Sequence, residues 1–243
     1  MPKVQPQPRR NLADEIVLQL RGKIISGAFK PGEALAEPVL AKYFGVSRAP
    51  VREAMIELER AGLVQFEASG RTRVRILEEK DIAEILETRI ALESMGARLA
   101  AMRWTAEDSR WIEKSIAAQE KALTGAEFSR LDIAMHEHIM KRGGNERLVV
   151  LWQCVRWQFE MALAFIHRLQ GEMAHDLRRF TVDWHWKVLE ALSARKPEVA
   201  AKVMAQHITG SLEWSVPEAA EPPPAAAPLH RKSRSAKRML GCF

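Results

Sequence analysis

Apolar positions near the start of the chain follow a helical period. Leu12, Ile16, Leu20 and Ile24 recur every four residues, and Gly27 closes the segment as a glycine cap would. A second helix is expected to begin with Glu37 as cap and Pro38 in its first turn, and to end near Gly45. Ser47 can cap a third that runs to about Ala61, with Gly62 just beyond its end. The period then drops to two. Leu63, Val64 and Phe66 lead into Ser69-Gly70, after which Val74 and Ile76 alternate with Arg73 and Arg75. Alternation around a glycine turn predicts a β-hairpin, with Ala34-Leu35 as a further short strand.

From Asp81 to Ser215 the helical period returns. Asp81-x-x-Glu84 and Thr105-x-x-Asp108 read as capped starts. Leu123-Thr124-Gly125, Arg142-Gly143-Gly144 and Gly171 read as breaks, and Pro197 suits the first turn of a last helix. About six helices over this span suit a bundle. The pattern divides the chain into a basic arm (1–10), a reader of three short helices and a hairpin (11–76), a linker (77–80), an all-helical domain (81–215) and a proline-rich basic tail (216–243). Both ends lack anything periodic to bury and are expected to be disordered. The fold class is mainly α.

Composition narrows the function classes. The chain has 243 residues, enough for one large domain or two smaller ones. No apolar run approaches ~18 residues and no apolar core follows the first ten, so neither a membrane span nor a secretory leader is expected. Two cysteines, Cys154 and Cys242, cannot build a disulfide framework, which suits a reducing, cytoplasmic setting. The formal charge is +6, which points to an anionic partner. Its distribution says where that partner sits: the basic excess lies on the reader and the two ends, and the helical domain is slightly acidic.

The Phe44-Gly45-Val46 turn between the second and third helices is the mark of a helix-turn-helix. The third helix opens Ser47-Arg48-Ala49-Pro50-Val51-Arg52. Small residues let its N-terminal end come close to a major groove, where a guanidinium can grip guanine O6 and N7 together. Arg48 and Arg52, four apart, share one face. Gly70 and Arg71 at the hairpin tip suit a minor-groove or phosphate contact. The plain alternative is that these arginines pair with Glu53, Glu57 or Glu59 on a solvated face; the turn, the cap and the hairpin together favour DNA.

These stretches resemble a known family. Gly27-Ala28-Phe29-Lys30-Pro31-Gly32-Glu33, Leu40-Ala41, the run from Gly45 to Ala54, and Leu58-Glu59-x-x-Gly62-Leu63-Val64 are similar to the winged helix-turn-helix of the GntR superfamily of bacterial transcription regulators. By motif position the resemblance gives operator contacts to Arg48, Arg52 and Gly70, and allows Ser47 and Ala49 to reach phosphate or a thymine methyl. A third arginine of the fatty-acid-responsive member that typifies the subfamily falls on Pro38, so operator preference should differ from that member's. The resemblance implies a homodimer on a two-fold operator in double-stranded DNA, since one such unit reads a half-site.

The helical domain carries His136, His138, His167, His175, His185 and His207. Asp132 and His136 are i and i+4, about 40° apart on a helix, whereas His138 lies roughly 240° from Asp132 and faces elsewhere. With His185 and His207 on later helices, a carboxylate and three imidazoles could meet at a transition metal. The bland reading is of separate hydrogen-bonded histidines. Arg89-x-x-Leu92-Glu93, Asp132-x-x-x-His136, Gly144-Asn145 and His185-x-x-x-Leu189-x-Ala191-Leu192 with His207 are similar to the FCD ligand-binding domain of the FadR branch. That resemblance implies a divalent ion (zinc, nickel or manganese) on Asp132, His136, His185 and His207. An octahedral ion with four protein ligands has two positions left for a small carboxylic-acid effector. Arg89 is the candidate for the effector's second anionic group and Asn145 a weaker one; the alternative for Arg89 is an ion pair with Glu93. Met135 stands where an aromatic commonly precedes the first histidine, which should affect packing, not coordination. All seven tryptophans lie in this domain, either as packing or as an aromatic-lined pocket, and Cys154 reads as a small buried hydrophobe.

The leading reading is a DNA-binding transcription regulator, a repressor, controlled by an organic acid at a metal. One rival is a direct metal-responsive regulator. Another is a non-haem metalloenzyme fused to a DNA reader; no further acid, base or nucleophile sits at motif spacing, so no catalytic residue is assigned.

Overall fold

The computed structural model describes residues 12–169 and 174–215, with side chains outside 167–177 and 211–215. The basic arm, Gly171 and the basic tail lie outside the described residues. So do the side chains of His167, His175 and Trp214.

The chain opens with α1 (Leu12–Ile25), which buries Ile16, Val17, Leu20 and Ile24 as their spacing demands. After β1 (Ala34–Leu35) comes α2 (Glu37–Phe44). Its cap is Ala36, not Glu37: the Ala36 carbonyl already accepts from Val39 and Leu40, so the helix starts one residue earlier than expected. Pro38 sits in the first turn, where no N–H is needed. Gly45 takes φ 68 at the turn, a left-handed conformation costly for any residue with a Cβ, and donates back to Ala41 and Lys42. α3 (Arg48–Arg60) follows, with Ser47 at its cap position, and buries Val51, Ala54, Met55 and Leu58 against α1.

β2 (Val64–Phe66) and β3 (Thr72–Val74) form the hairpin, and β1 adds to its other side in the order β1-β3-β2, all antiparallel. The alternation stops one pair short of expectation. Val74 is buried, but Ile76 is 57% exposed, because β3 ends at Val74 and the chain turns away toward the next helix.

Six further helices are described: α4 (Glu79–Arg103), α5 (Ala106–Glu120), α6 (Gly125–Arg142), α7 (Glu146–Leu169), α8 (Ala174–Ser193) and α9 (Pro197–Ser215). α4 starts at Glu79 rather than at Asp81. Asp81 is its third residue and accepts from the Glu78 amide at 3.0 Å, so its carboxylate serves the helix start from inside. The same carboxylate meets Arg75 at 2.9 Å, tying the exit of β3 to α4. Thr105 and Asp108 form the expected reciprocal cap of α5. α9 lies along α4, α6 packs on α4 and α7, and α8 packs on α5 and α9. Gly96 permits a close α4–α6 crossing: a Cβ there would lie 2.2 Å from Met140 Sδ. Glu93 and His136 stand one turn along from Gly96 and Met140 respectively, so this crossing brings them together. None of the helices described is long and apolar enough to cross a membrane.

Candidate metal centre and nucleic-acid interface

Asp132 and His136 come from α6, His185 from α8 and His207 from α9. Each is fully or almost fully buried, and each offers an atom to a cluster whose members lie within 4.8 Å of one another. His185 Nε2 is 3.0 Å and His136 Nε2 3.7 Å from Asp132 Oδ1, and His207 Nε2 is 3.2 Å from His136 Nε2. The other ring nitrogens of two histidines are held from outside the cluster. His136 Nδ1 contacts the Glu93 carboxylate, and His185 Nδ1 is 2.6 Å from Gln119 Oε1. When Nδ1 donates to such a partner, Nε2 carries its lone pair toward the cluster.

The electrostatics suit a cation. Burial works against the charge of Asp132, but His136, His185 and Arg89 around it hold its carboxyl well below the usual range. Burial pushes His185 down despite Asp132, and burial with His185 and His136 pushes His207 well below the usual imidazole range. Neutral imidazole is the form that binds metals. Asp132 Oδ2 is buried and accepts no hydrogen bond. An orphaned carboxylate oxygen is expensive in a protein interior, and a cation would satisfy it. Three imidazoles and one carboxylate are the donor set of a divalent transition metal. The residues present therefore fit such an ion.

The second group of residues lies at the other end of the chain. Ser47, Arg48, Ala49 and Arg52 are all exposed at the N-terminal end of α3, and Gly70 and Arg71 are exposed at the hairpin tip. The Ser47 hydroxyl makes no capping bond. Arg48 reaches Glu37 at 3.0 Å, a partner on α2 rather than the α3 glutamates weighed from the sequence. Its side chain is 68% exposed, so the pair is solvated and weak. Gly70 has φ 77 and donates to the Glu67 carbonyl, closing the tight turn of the hairpin.

Two family models match. Residues 12–74 match the gntR family of bacterial regulatory proteins, and residues 84–210 match the FCD domain. The chain belongs to the GntR family of bacterial regulators. It is 30% identical to an uncharacterized HTH-type transcriptional regulator of Bacillus subtilis, YdhC, over 80% of this chain and 87% of that protein. It is 28% identical to the gluconate operon transcriptional repressor of Bacillus licheniformis, over 82% and 83%. The solved structure of E. coli McbR/YncC aligns with TM-score 0.70 at 21% identity, covering 84% of this chain and 97% of that one, which shows a shared fold. The chain is thus a DNA-binding transcription regulator, and its relatives are regulators rather than enzymes.

Within this GntR-family protein, the other residues singled out from the sequence fall outside the cluster. The Arg89 guanidinium is 1% exposed and forms the i, i+4 pair with Glu93 at 2.9 Å. Asn145 is exposed, and its Oδ1 accepts from the Leu148 amide at the start of α7. His138 faces away as expected: it meets Asp108 at 3.1 Å and stacks on Trp111. Met135 is buried, its sulfur 3.9 Å from Gln119 Nε2, so it packs behind a partner of His185. Trp186 is 41% exposed and Trp184 packs on Phe180 and under Lys187, so flanking His185 in sequence does not bring them to it. Cys154 is exposed, not buried, because α7 turns Trp152 and Phe159 inward and leaves Val150, Leu151 and Cys154 on its outer face.

Sequence reasoning missed Gln119, read Trp152 only as packing or pocket lining, and saw Glu93 only as a partner for Arg89. Trp152 Nε1 donates to Glu93 Oε1 at 2.9 Å, so Glu93 serves Arg89, His136 and Trp152 together. No spacing signal links α4, α5 and α7 in this way; only the close helix crossings do.

Proposed function

We propose that this regulator is a cytoplasmic repressor that binds a two-fold operator as a homodimer and is controlled by a small organic acid at a divalent metal. Asp132, His136, His185 and His207 would hold the ion, which would supply a Lewis-acidic centre for a carboxylate oxygen. The observation that carries the reading is the buried cluster with its orphaned Asp132 oxygen.

Charge balance supports an acid as the second ligand. Arg89 is held cationic against burial by Glu93 and Asp132, and the two carboxylates are held ionised. The buried centre thus carries one net negative charge once its imidazoles are neutral. A divalent ion reverses that to one net positive charge, and an anion would neutralise it. Arg89 then contributes through Glu93. A cavity of about 310 Å³ opens beside the cluster, with Gln119, Phe128, Arg178 and Val182 in its lining. Phe128 stands one turn before Asp132 and Val182 one turn before His185, so the cavity has an apolar wall beside the cluster, and its lining carries Arg178 and Arg179 together with Glu120 and Asp183.

At the operator, Ser47, Arg48, Ala49 and Arg52 would enter the major groove, with Gly70 and Arg71 beside the minor groove or backbone. Val150, Leu151 and Cys154 form an exposed apolar strip on α7 that a second copy could cover.

The test is metal analysis of purified protein, followed by operator-shift titrations with metal alone and with metal plus a panel of organic acids. Acid-dependent release at constant metal supports the reading. A response to metal alone that no acid alters favours the direct metal sensor. Protein without metal, and indifferent to its addition, overturns both.

A further inference from the structure

α7 touches both ends of the molecule. Near its start, buried Trp152 donates to Glu93 Oε1 at 2.9 Å, while the other Glu93 oxygen faces His136. Seven residues on, and so on the same face, Phe159 meets Trp152 edge to face at 6.2 Å, and the Arg89 guanidinium lies 5.6 Å over its ring. The residues around Phe159 belong to the opposite contact. Gln158 lies against Gly62, where a Cβ would stand 2.8 Å from its Nε2. Glu160 is 3.9 Å from Arg21 of α1, and Arg21 lies 5.2 Å over Trp157. Gly62 directly follows the recognition helix α3 and its cap residue Ala61. One rigid helix thus joins the environment of a candidate ligand, His136, to both α1 and the end of α3.

Both oxygens of Glu93 are engaged: Oε1 accepts from Trp152 and from Arg89 Nε, and Oε2 faces His136 and takes a long hydrogen bond from Arg89 Nη2 at 3.4 Å. Glu93 is buried among the helices, so a shift of the His136 ring must be shared by the carboxylate with Trp152 and Arg89 or weaken a buried hydrogen bond. We propose that Glu93 and Trp152 are positioning residues that couple the metal centre to the DNA reader: reorientation of His136 on ion binding moves Trp152, and α7 carries the shift through Gln158 and Glu160 to Gly62 and Arg21. The inference rests on the metal reading above and names its route to DNA.

The experiment is amide hydrogen exchange on the full chain with and without zinc, occupancy being confirmed by metal analysis. Zinc on the wild type is expected to change exchange in residues 12–25 and 58–64, far from the cluster in sequence. Trp152→Phe keeps an aromatic ring but deletes the N–H. At full zinc occupancy its distal change should be largely lost. Gln158→Ala should bind zinc within about twofold of wild type and lose the zinc-dependent change at 58–64. A merely structural role for Trp152 would raise exchange with and without zinc alike and leave the zinc-dependent difference intact; that result overturns the coupling, as does a wild-type distal change kept by both variants. Wild type that takes up no zinc sinks the metal reading itself, and the route with it. Wild type that takes up zinc with no distal change sinks the route alone.

Discussion

The proposed DNA-reading face and the candidate metal centre are built by opposite rules. The residues proposed for the reader are close in sequence, Ser47, Arg48, Ala49 and Arg52 with Gly70 and Arg71 at the hairpin tip, and all six are exposed. Its geometry comes from local backbone chemistry, a left-handed Gly45 and a hairpin turn at Gly70. The metal centre draws Asp132, His136, His185 and His207 from three helices and buries all of them. Its geometry comes from helix packing and from Glu93 and Gln119, which hold the rings. A surface reader tolerates solvated charge; a buried centre must have every charge answered. The two regions should therefore fail differently when altered.

The largest effect is expected at Glu93. Glu93→Gln removes the carboxylate paired directly with buried Arg89 and leaves only Asp132 to answer it, and breaking a buried ion pair costs about 3–5 kcal/mol. A thermal melt of metal-free protein should show it, and an unchanged melting temperature would mean that the centre is not held by charge balance. Next is the cluster itself. His136→Ala should weaken metal affinity at least about 100-fold, beyond the range typical of supporting residues. Metal content per chain checks it, and an unchanged content would place the ion elsewhere.

At the reader the effects are smaller and appear in binding rather than stability. Arg48→Ala should cost about 1–3 kcal/mol of operator affinity and relax preference at one base pair, with no change in metal content. Equal affinity of mutant and wild type for the operator would remove Arg48 from the interface. The smallest effect is Gly70→Ala. Nothing lies within 4 Å of the added Cβ, so the cost is the left-handed backbone alone, about 1 kcal/mol of local stability. It should weaken operator binding modestly and leave the metal centre untouched; a change in metal content would mean that the two regions are not separable in this way.

How much was legible follows the same division. The helix-turn-helix, its hairpin and the breaks at Thr124-Gly125, Gly143-Gly144 and Pro197 were readable because turns and caps are decided within a few residues. The misplaced details were boundary effects: Ala36 rather than Glu37 as a cap, Asp81 inside its helix, Ile76 beyond its strand. Asp132 and His136 share a face by helical spacing, and the pattern set His138 apart from them. His185 and His207 were readable as imidazoles on later helices that could join them, and the family resemblance singled out these four as a set.

What the sequence alone determined is therefore the order of elements and the helix-turn-helix with its hairpin, and it named the residues proposed for the DNA contact and for the metal. Only the tertiary structure decided that Glu93 lies behind His136, that Gln119 lies behind His185, and that Trp152 and Cys154, two residues apart on one helix, end up inside and outside. The physical reason is range. A cap or a turn is settled by bonds along a few residues of chain, whereas a buried polar network exists only where close-packed helices bring distant side chains out of water together.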